Sequence, residues 1–116
     1  MKIAFSLIAS VLLANGALAN DFLNPDQVQN LLAGKKILGQ PSNGGSFDFQ
    51  MNSDFTATTS SGGGDTGRWR LSDDGYCTIW TKIRQGKESC FKVSKVGANY
   101  FVHGPDGSRS RIVRID

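Results

Sequence analysis

Two cysteines thirteen positions apart, Cys77 and Cys90, carry the most reactive side chains of this 116-residue chain. Thiols can join in a disulfide, hold a metal or shuttle electrons. Their spacing lacks the Cys-x-x-Cys pattern of metal and redox sites, and His103, the single histidine, is the one candidate third ligand. A structural disulfide is therefore expected, with no metal and no cofactor. In the chain-entropy model a closed loop of this size is worth roughly 3 kcal/mol, a sizeable part of a small domain's stability.

Other constellations are weaker. Ser108, His103 and Asp106 could be assembled into a nucleophile, base and orienting group. They are near-consecutive residues of a Gly104-Pro105-Asp106-Gly107 turn, without the strand-to-helix context that exposes a serine. Asp73 and Asp74 are adjacent on a turn and point apart, whereas glycosidase carboxylates face each other across ~5–9 Å. Asp48 and Asp54 read as turn residues that bond nearby backbone. Gly62-Gly63-Gly64 lacks the lysine ending and the following helix of a phosphate loop, and reads as a flexible link. The chain is accordingly expected to be no enzyme.

Recognition is better supplied. Arg68 and Arg70 flank Trp69, and Arg109, Arg111 and Arg114 lie on the last predicted strand. Were these strands to share a rim, their guanidinium groups could fork onto carboxylates, sulfates or an acidic protein surface. Tyr76 and Trp80 share one face of a strand, and an exposed Tyr/Trp pair beside arginines would make an interface hot spot. The candidate binding set is thus Arg68, Arg70, Tyr76, Trp80, Arg109 and Arg111. The aromatic residues Phe47, Phe49, Phe55, Trp69, Trp80, Phe91 and Phe101 read chiefly as core, with the option of lining a cavity if the interior is unfilled.

The elements that must position these residues follow from periodicity. Met1-Lys2, the apolar run Ile3–Ala14 and Ala17-Leu18-Ala19 read as a signal peptide, residues 1–19, cut after Ala19. The run is too short for the ~20 residues of a spanning helix, so no transmembrane segment is expected. The mature domain, residues 20–116, carries a net charge of +2, too small for a nucleic-acid footprint. One helix is signalled by Asn24 as N-cap, Pro25 in the first turn and Gln27 completing a capping box. Leu23 and Val28 are placed to form a staple, and Gly34 is the stop.

Beyond Gly34 the apolar period becomes two. Strands are expected at 36–40, 46–51, 55–60, 67–72, 76–82, 90–94, 99–103 and 109–115, with Arg111, Val113 and Ile115 sharing a side of the last. Eight short antiparallel strands with one N-terminal helix predict an up-and-down barrel, or failing that a strongly curved sheet. Such a barrel has an interior just wide enough for side chains or one small ligand. A hairpin centred on Gln85-Gly86 would set Cys77 against Ser94, too far from Cys90 for a bridge. The turn is therefore expected nearer Ile83-Arg84 with a bulge at Gly86, unless the bridge lies outside one hairpin.

The string Gly67-x-Trp69, Asp74-Gly75-x-Cys77-x-x-Trp80, Cys90-Phe91-x-Val93 resembles a family of small exported proteobacterial proteins of unknown function. The likeness implies export and a disulfide-pinned β domain, and no catalytic residue comes with it. The outline also resembles calycin-type barrels, among them periplasmic lysozyme inhibitors and small-ligand binders. The expectation is a monomeric, periplasmic or secreted binding module. It would engage a protein or anionic surface through an arginine/tyrosine rim. The alternatives are a small-ligand carrier with an aromatic-lined interior, or an enzyme inhibitor.

Overall fold

The structure, a computed structural model, describes residues 22–116. The expected leader and its cleavage site lie outside the described residues. Among the described residues the first regular element is helix α1, Pro25–Leu32. Its capping box is reciprocal: the Gln27 amide N–H donates to Asn24 Oδ1, and the Asn24 amide N–H donates to Gln27 Oε1, each at 2.9 Å. Eight residues are too few to hold a helix in water, so α1 depends on what it packs against. Val28 and Leu32 are buried, and the helix lies against β1, β4 and β5. Gly34, with φ +77°, turns the chain through a left-handed conformation and donates its N–H to the Met51 carbonyl.

Eight strands follow: β1 Lys35–Pro41, β2 Phe47–Met51, β3 Thr56–Thr59, β4 Asp65–Ser72, β5 Gly75–Trp80, β6 Ser89–Val96, β7 Asn99–His103 and β8 Arg109–Ile115. Each pairs antiparallel with the next, and β8 returns to β1 to close the barrel. Among the described residues, the expected up-and-down barrel with one N-terminal helix is the architecture found. Mutual bonds between Lys36 and Asp116, N–H to carbonyl in both directions, seal the β1–β8 seam. Phe22 bridges Ser94, and the Leu23 N–H reaches the Val93 carbonyl at 2.8 Å, so the chain entering α1 pairs with the far end of β6.

The interior beneath α1 is filled. Val28, Leu32, Ile37, Met51, Ala57, Trp69 and Val93 are each at most 3 % exposed and belong to one cluster, which continues through Tyr76 and Trp80. A large apolar side chain removed from water in this way contributes roughly 1.5–3 kcal/mol. The Trp69 indole N–H is satisfied by the Asn52 carbonyl at 2.9 Å.

Three expectations need correction. Phe55 does not begin β3; it sits in the preceding turn at φ +70°, its ring against Trp69 at 4.7 Å, while Asp54 accepts from the Thr56 N–H and hydroxyl. On β8 the alternation breaks, because Leu38 opposes Arg114 while Gly39 opposes Ile112, leaving Val113 as an extra residue. Ile115 therefore opposes the buried Ile37, while Arg111 and Val113 are exposed outside. Finally, Cys77 stands directly opposite Cys90, so the hairpin is centred on Ile83-Arg84 as expected, yet Gly86 forms no bulge. It closes a 3-10 turn, Ile83–Gly86, in which Arg84, Gln85 and Gly86 all have φ near +60° to +75°.

Candidate functional site

Because the strands run up and down, the connections alternate between two ends. The helix end carries α1 and the tight turns at Asp73-Asp74 and Gly97-Ala98. The other end gathers the longer connections, residues 42–46, 60–64, 81–88 and 104–108. Two of these are built rather than loose. Asp48 accepts from the Ser60 hydroxyl at 2.5 Å, and Thr59 Oγ1 accepts from the Ser61 N–H at 3.0 Å. The triple-glycine segment is thus a 3-10 turn pinned at its start, not a free link. Asp65 accepts from the Lys82 and Ile83 N–H groups at 2.9 and 2.8 Å and from its neighbour Thr66. Burial opposes its charge, but those donors outweigh it and hold the carboxyl below its ordinary value.

Between these loops the barrel interior is not filled. A cavity of about 180 Å3 is walled by Phe47, Phe49, Tyr76, Trp80 and Phe91, with Thr59, Ser61 and Thr78 between the rings. Ile83 and Arg84 complete its lining from the β5–β6 connection. Phe47 and Phe49 lie 4.9 Å apart, Phe49 and Trp80 stack at 6.1 Å, and Tyr76 stacks on Phe91 at 5.3 Å. Two glycines make room for the rings. Gly39 pairs with Phe47 and Gly67 with Trp80; a β-carbon on Gly39 would strike the Phe47 ring, and one on Gly67 would strike the Ile79 carbonyl before it pressed on Trp80.

Polar groups in this wall are sparse. Every wholly enclosed side-chain nitrogen or oxygen among the described residues has a hydrogen-bond partner. The hydroxyls of Tyr76 and Thr78, on residues 2 % and 4 % exposed, have no partner among the described residues and belong to residues that line the cavity. Burial pushes the Tyr76 hydroxyl pKa well up, so it stays protonated.

The candidate binding set is dispersed. Tyr76 and Trp80 point into the barrel, whereas Arg68 and Arg70 are exposed outside, beside Ile79 and the disulfide. Strand alternation explains this: Trp69 and Tyr76 are inward, so Arg68, Arg70, Cys77 and Ile79 face out. Arg109 and Arg111 are also exposed, but β8 lies four places from β4 in an eight-strand ring, on the opposite side of the barrel. No single arginine/tyrosine rim is assembled. Arg70 forks onto Glu88 at 2.9 and 3.0 Å, which holds that carboxyl below its usual value. Arg109 stacks over Phe101 at 4.3 Å and, with Arg111, Gln40 and the residues after Pro41, borders a shallow outer groove of about 410 Å3.

The expected disulfide between Cys77 and Cys90 is present across β5 and β6. Glu88 lies close to both sulfurs, but the sulfurs are committed to each other and the carboxylate to Arg70. His103 does meet a serine, though not Ser108: its Nε2 is 2.7 Å from the Ser94 hydroxyl, with the Phe22 ring edge-on at 5.3 Å. Desolvation, then the charges of Arg109 and Lys92, lower its pKa. A general base must become a cation in the reaction, and flanking cations oppose that. Asp106, the third member of the imagined set, instead accepts from the Ser108 N–H at 3.0 Å. The pair ties β6 to β7.

Sequence reasoning missed Thr78 and the β5–β6 connection as parts of a site. The signal was present in the inward run Tyr76, Thr78, Trp80, which sets hydroxyls where an ordinary core strand would carry Val or Leu. Compared with protein-family models, curated proteins and solved structures, the chain matches none.

Proposed function

We propose that this protein is a non-enzymatic binding module whose barrel holds a small, largely apolar ligand in the cup between its long loops. The observation that carries this reading is the aromatic-walled cavity of about 180 Å3 above a solidly filled half-core. Natural drug-sized sites run to ~300–1,000 Å3, so the occupant is smaller. An apolar cavity of ~150 Å3 takes a benzene ring. Few atoms mean modest affinity, with Kd on the order of 0.1–1 mM for a bare ring. The disulfide suits folding outside a reducing cytosol, and with the resemblance to exported proteins it supports a periplasmic or secreted location.

Benzene and cyclohexane titrated against the intact protein, followed by Trp fluorescence and by chemical-shift change of the cavity residues, test this. Saturable binding confined to Phe49, Tyr76 and Trp80 is expected. Thr78→Leu, which fills the cup with apolar volume, should remove it while leaving the far-ultraviolet spectrum intact. The absence of saturation with either probe, or equal binding by the filled variant, would overturn the reading.

One observation favours a second use of the surface. Arg109 and Arg111 have no carboxylate within ion-pair distance among the described residues, and both border the outer groove beside Phe101. That groove suits an anionic partner. Binding of the protein to a sulfated or phosphorylated matrix should fall when both arginines become Gln, and should persist when Arg68 is changed.

A further inference from the structure

A deeper inference about the same cup rests on the reading just given. The wall is aromatic on several sides, which selects a flat ring over a branched alkane of equal volume. Its polar groups are hydroxyls. Among the residues lining the cavity, the single charged one is Arg84, exposed and placed by the β5–β6 connection. A charged ligand group carried past it would lose its hydration against Phe, Trp and Tyr rings with no counter-ion. A neutral hydrogen-bonding group, by contrast, finds the Tyr76 hydroxyl, which has no partner among the described residues, with the Thr78 hydroxyl on the same strand face. Tyr and Thr hydroxyls both donate and accept, so each can meet an O–H group.

Every wholly enclosed side-chain polar atom among the described residues is paired, so the Tyr76 hydroxyl, which has no partner among them, keeps accessible surface, and Tyr76 lines the cavity. A hydroxyl so placed can take a partner that arrives with a ligand. We propose that the ligand class is a neutral monocyclic arene bearing a single hydroxyl, the phenol class. Its ring lies among Phe49, Trp80 and Phe91, and its hydroxyl bonds to that of Tyr76.

Phenol, benzene and benzoate titrated by calorimetry against the wild-type protein and Tyr76→Phe test the assignment. The wild type should prefer phenol to benzene by about five- to tenfold, the size of one net hydrogen bond. Tyr76→Phe should bring phenol and benzene affinities within about twofold of one another. Benzoate should bind at least about tenfold more weakly than phenol. Equal wild-type affinity for phenol and benzene would overturn the inference and leave the apolar cup standing. So would an undiminished phenol preference in Tyr76→Phe, or benzoate binding as tightly as phenol. Binding of none of the three would remove both readings together. Should Tyr76→Phe fail to fold, the wild-type ratios decide, and Thr78→Val asks the same question of the neighbouring hydroxyl.

Discussion

The two ends of this barrel are made from the same strands and differ in what fills them. Under α1, aliphatic side chains, Trp69 and the two helix residues Val28 and Leu32 meet at the axis and exclude solvent. Toward the loops, the Phe47 ring lies over Gly39, and Phe47, Phe49, Tyr76, Trp80 and Phe91 wall a cavity of about 180 Å3. Bulk alone does not fill a barrel, since the end with more aromatic residues is the emptier one. Shape decides, because a ring backed by glycine covers wall area while a Leu or Val reaches toward the centre.

Truncation is the strongest way to break that contrast. Trp69→Ala should cost about 3–5 kcal/mol in urea unfolding and Leu32→Ala about 2–5 kcal/mol, since each leaves a void in a filled region. Phe49→Ala, beside space that already exists, should fall below both. Equal losses at Leu32 and Phe49 would mean that the loop end is packed as tightly as the helix end. Next in size is the disulfide: reduction, or Cys77→Ser with Cys90→Ser, should lower stability by about 2–4 kcal/mol through the denatured chain. Because the bridge lies outside the barrel, ring binding in the cup should survive at temperatures where the reduced protein stays folded.

Gly39→Ala sharpens the comparison more finely. The new methyl would push the Phe47 ring off the wall toward the axis, at about 1–3 kcal/mol, the usual cost of overpacking. Benzene binding should weaken in parallel, whereas the same substitution at Gly97, where a methyl meets nothing, should leave binding untouched.

The smallest effect is expected from acid. His103 has a folded pKa below its ordinary 6.5, so the unfolded chain binds the extra proton first. Its contribution is present above that value and is lost as pH falls through the folded pKa. Asp54, Asp65, Glu88 and Asp106 are likewise depressed, and their contributions are lost lower, from their ordinary values of 3.8 or 4.5 downward. Unfolding midpoints followed from pH 7 to 3 should thus decline gently and then steeply, and His103→Gln should remove the gentle stage alone.

Much of this fold was legible in the chain because period-two patterning, turn clusters and the Asn24–Gln27 capping box agree with one another. The disulfide was legible for the same reason: its register with Ile83-Arg84 at the hairpin centre is a matter of counting. The candidate site was not. Tyr76 and Arg68 are both on strand faces, and alternation within one strand does not say which face of a neighbouring strand it joins. That is settled by the pairing of Arg68 with Ile79 and Leu71 with Tyr76, a long-range fact. The bulge at Val113 escaped for a similar reason, since Val there fits a regular strand as well as an extra residue. The void was hidden because it depends on how the rings of strands distant in the chain settle against one another, as where Phe47 lies over Gly39.

The seam between β1 and β8 has a consequence for how the molecule comes together. Every other pairing joins strands consecutive along the chain, whereas this one must bring Lys36 to Asp116. Contacts of such high sequence separation are made late and slowly, because the loop entropy precedes the reward. Until then the nascent meander has two bare edges, each a template for the complementary edge of another copy. Refolding yield should therefore fall as protein concentration rises, with exchanged dimers competing against self-closure.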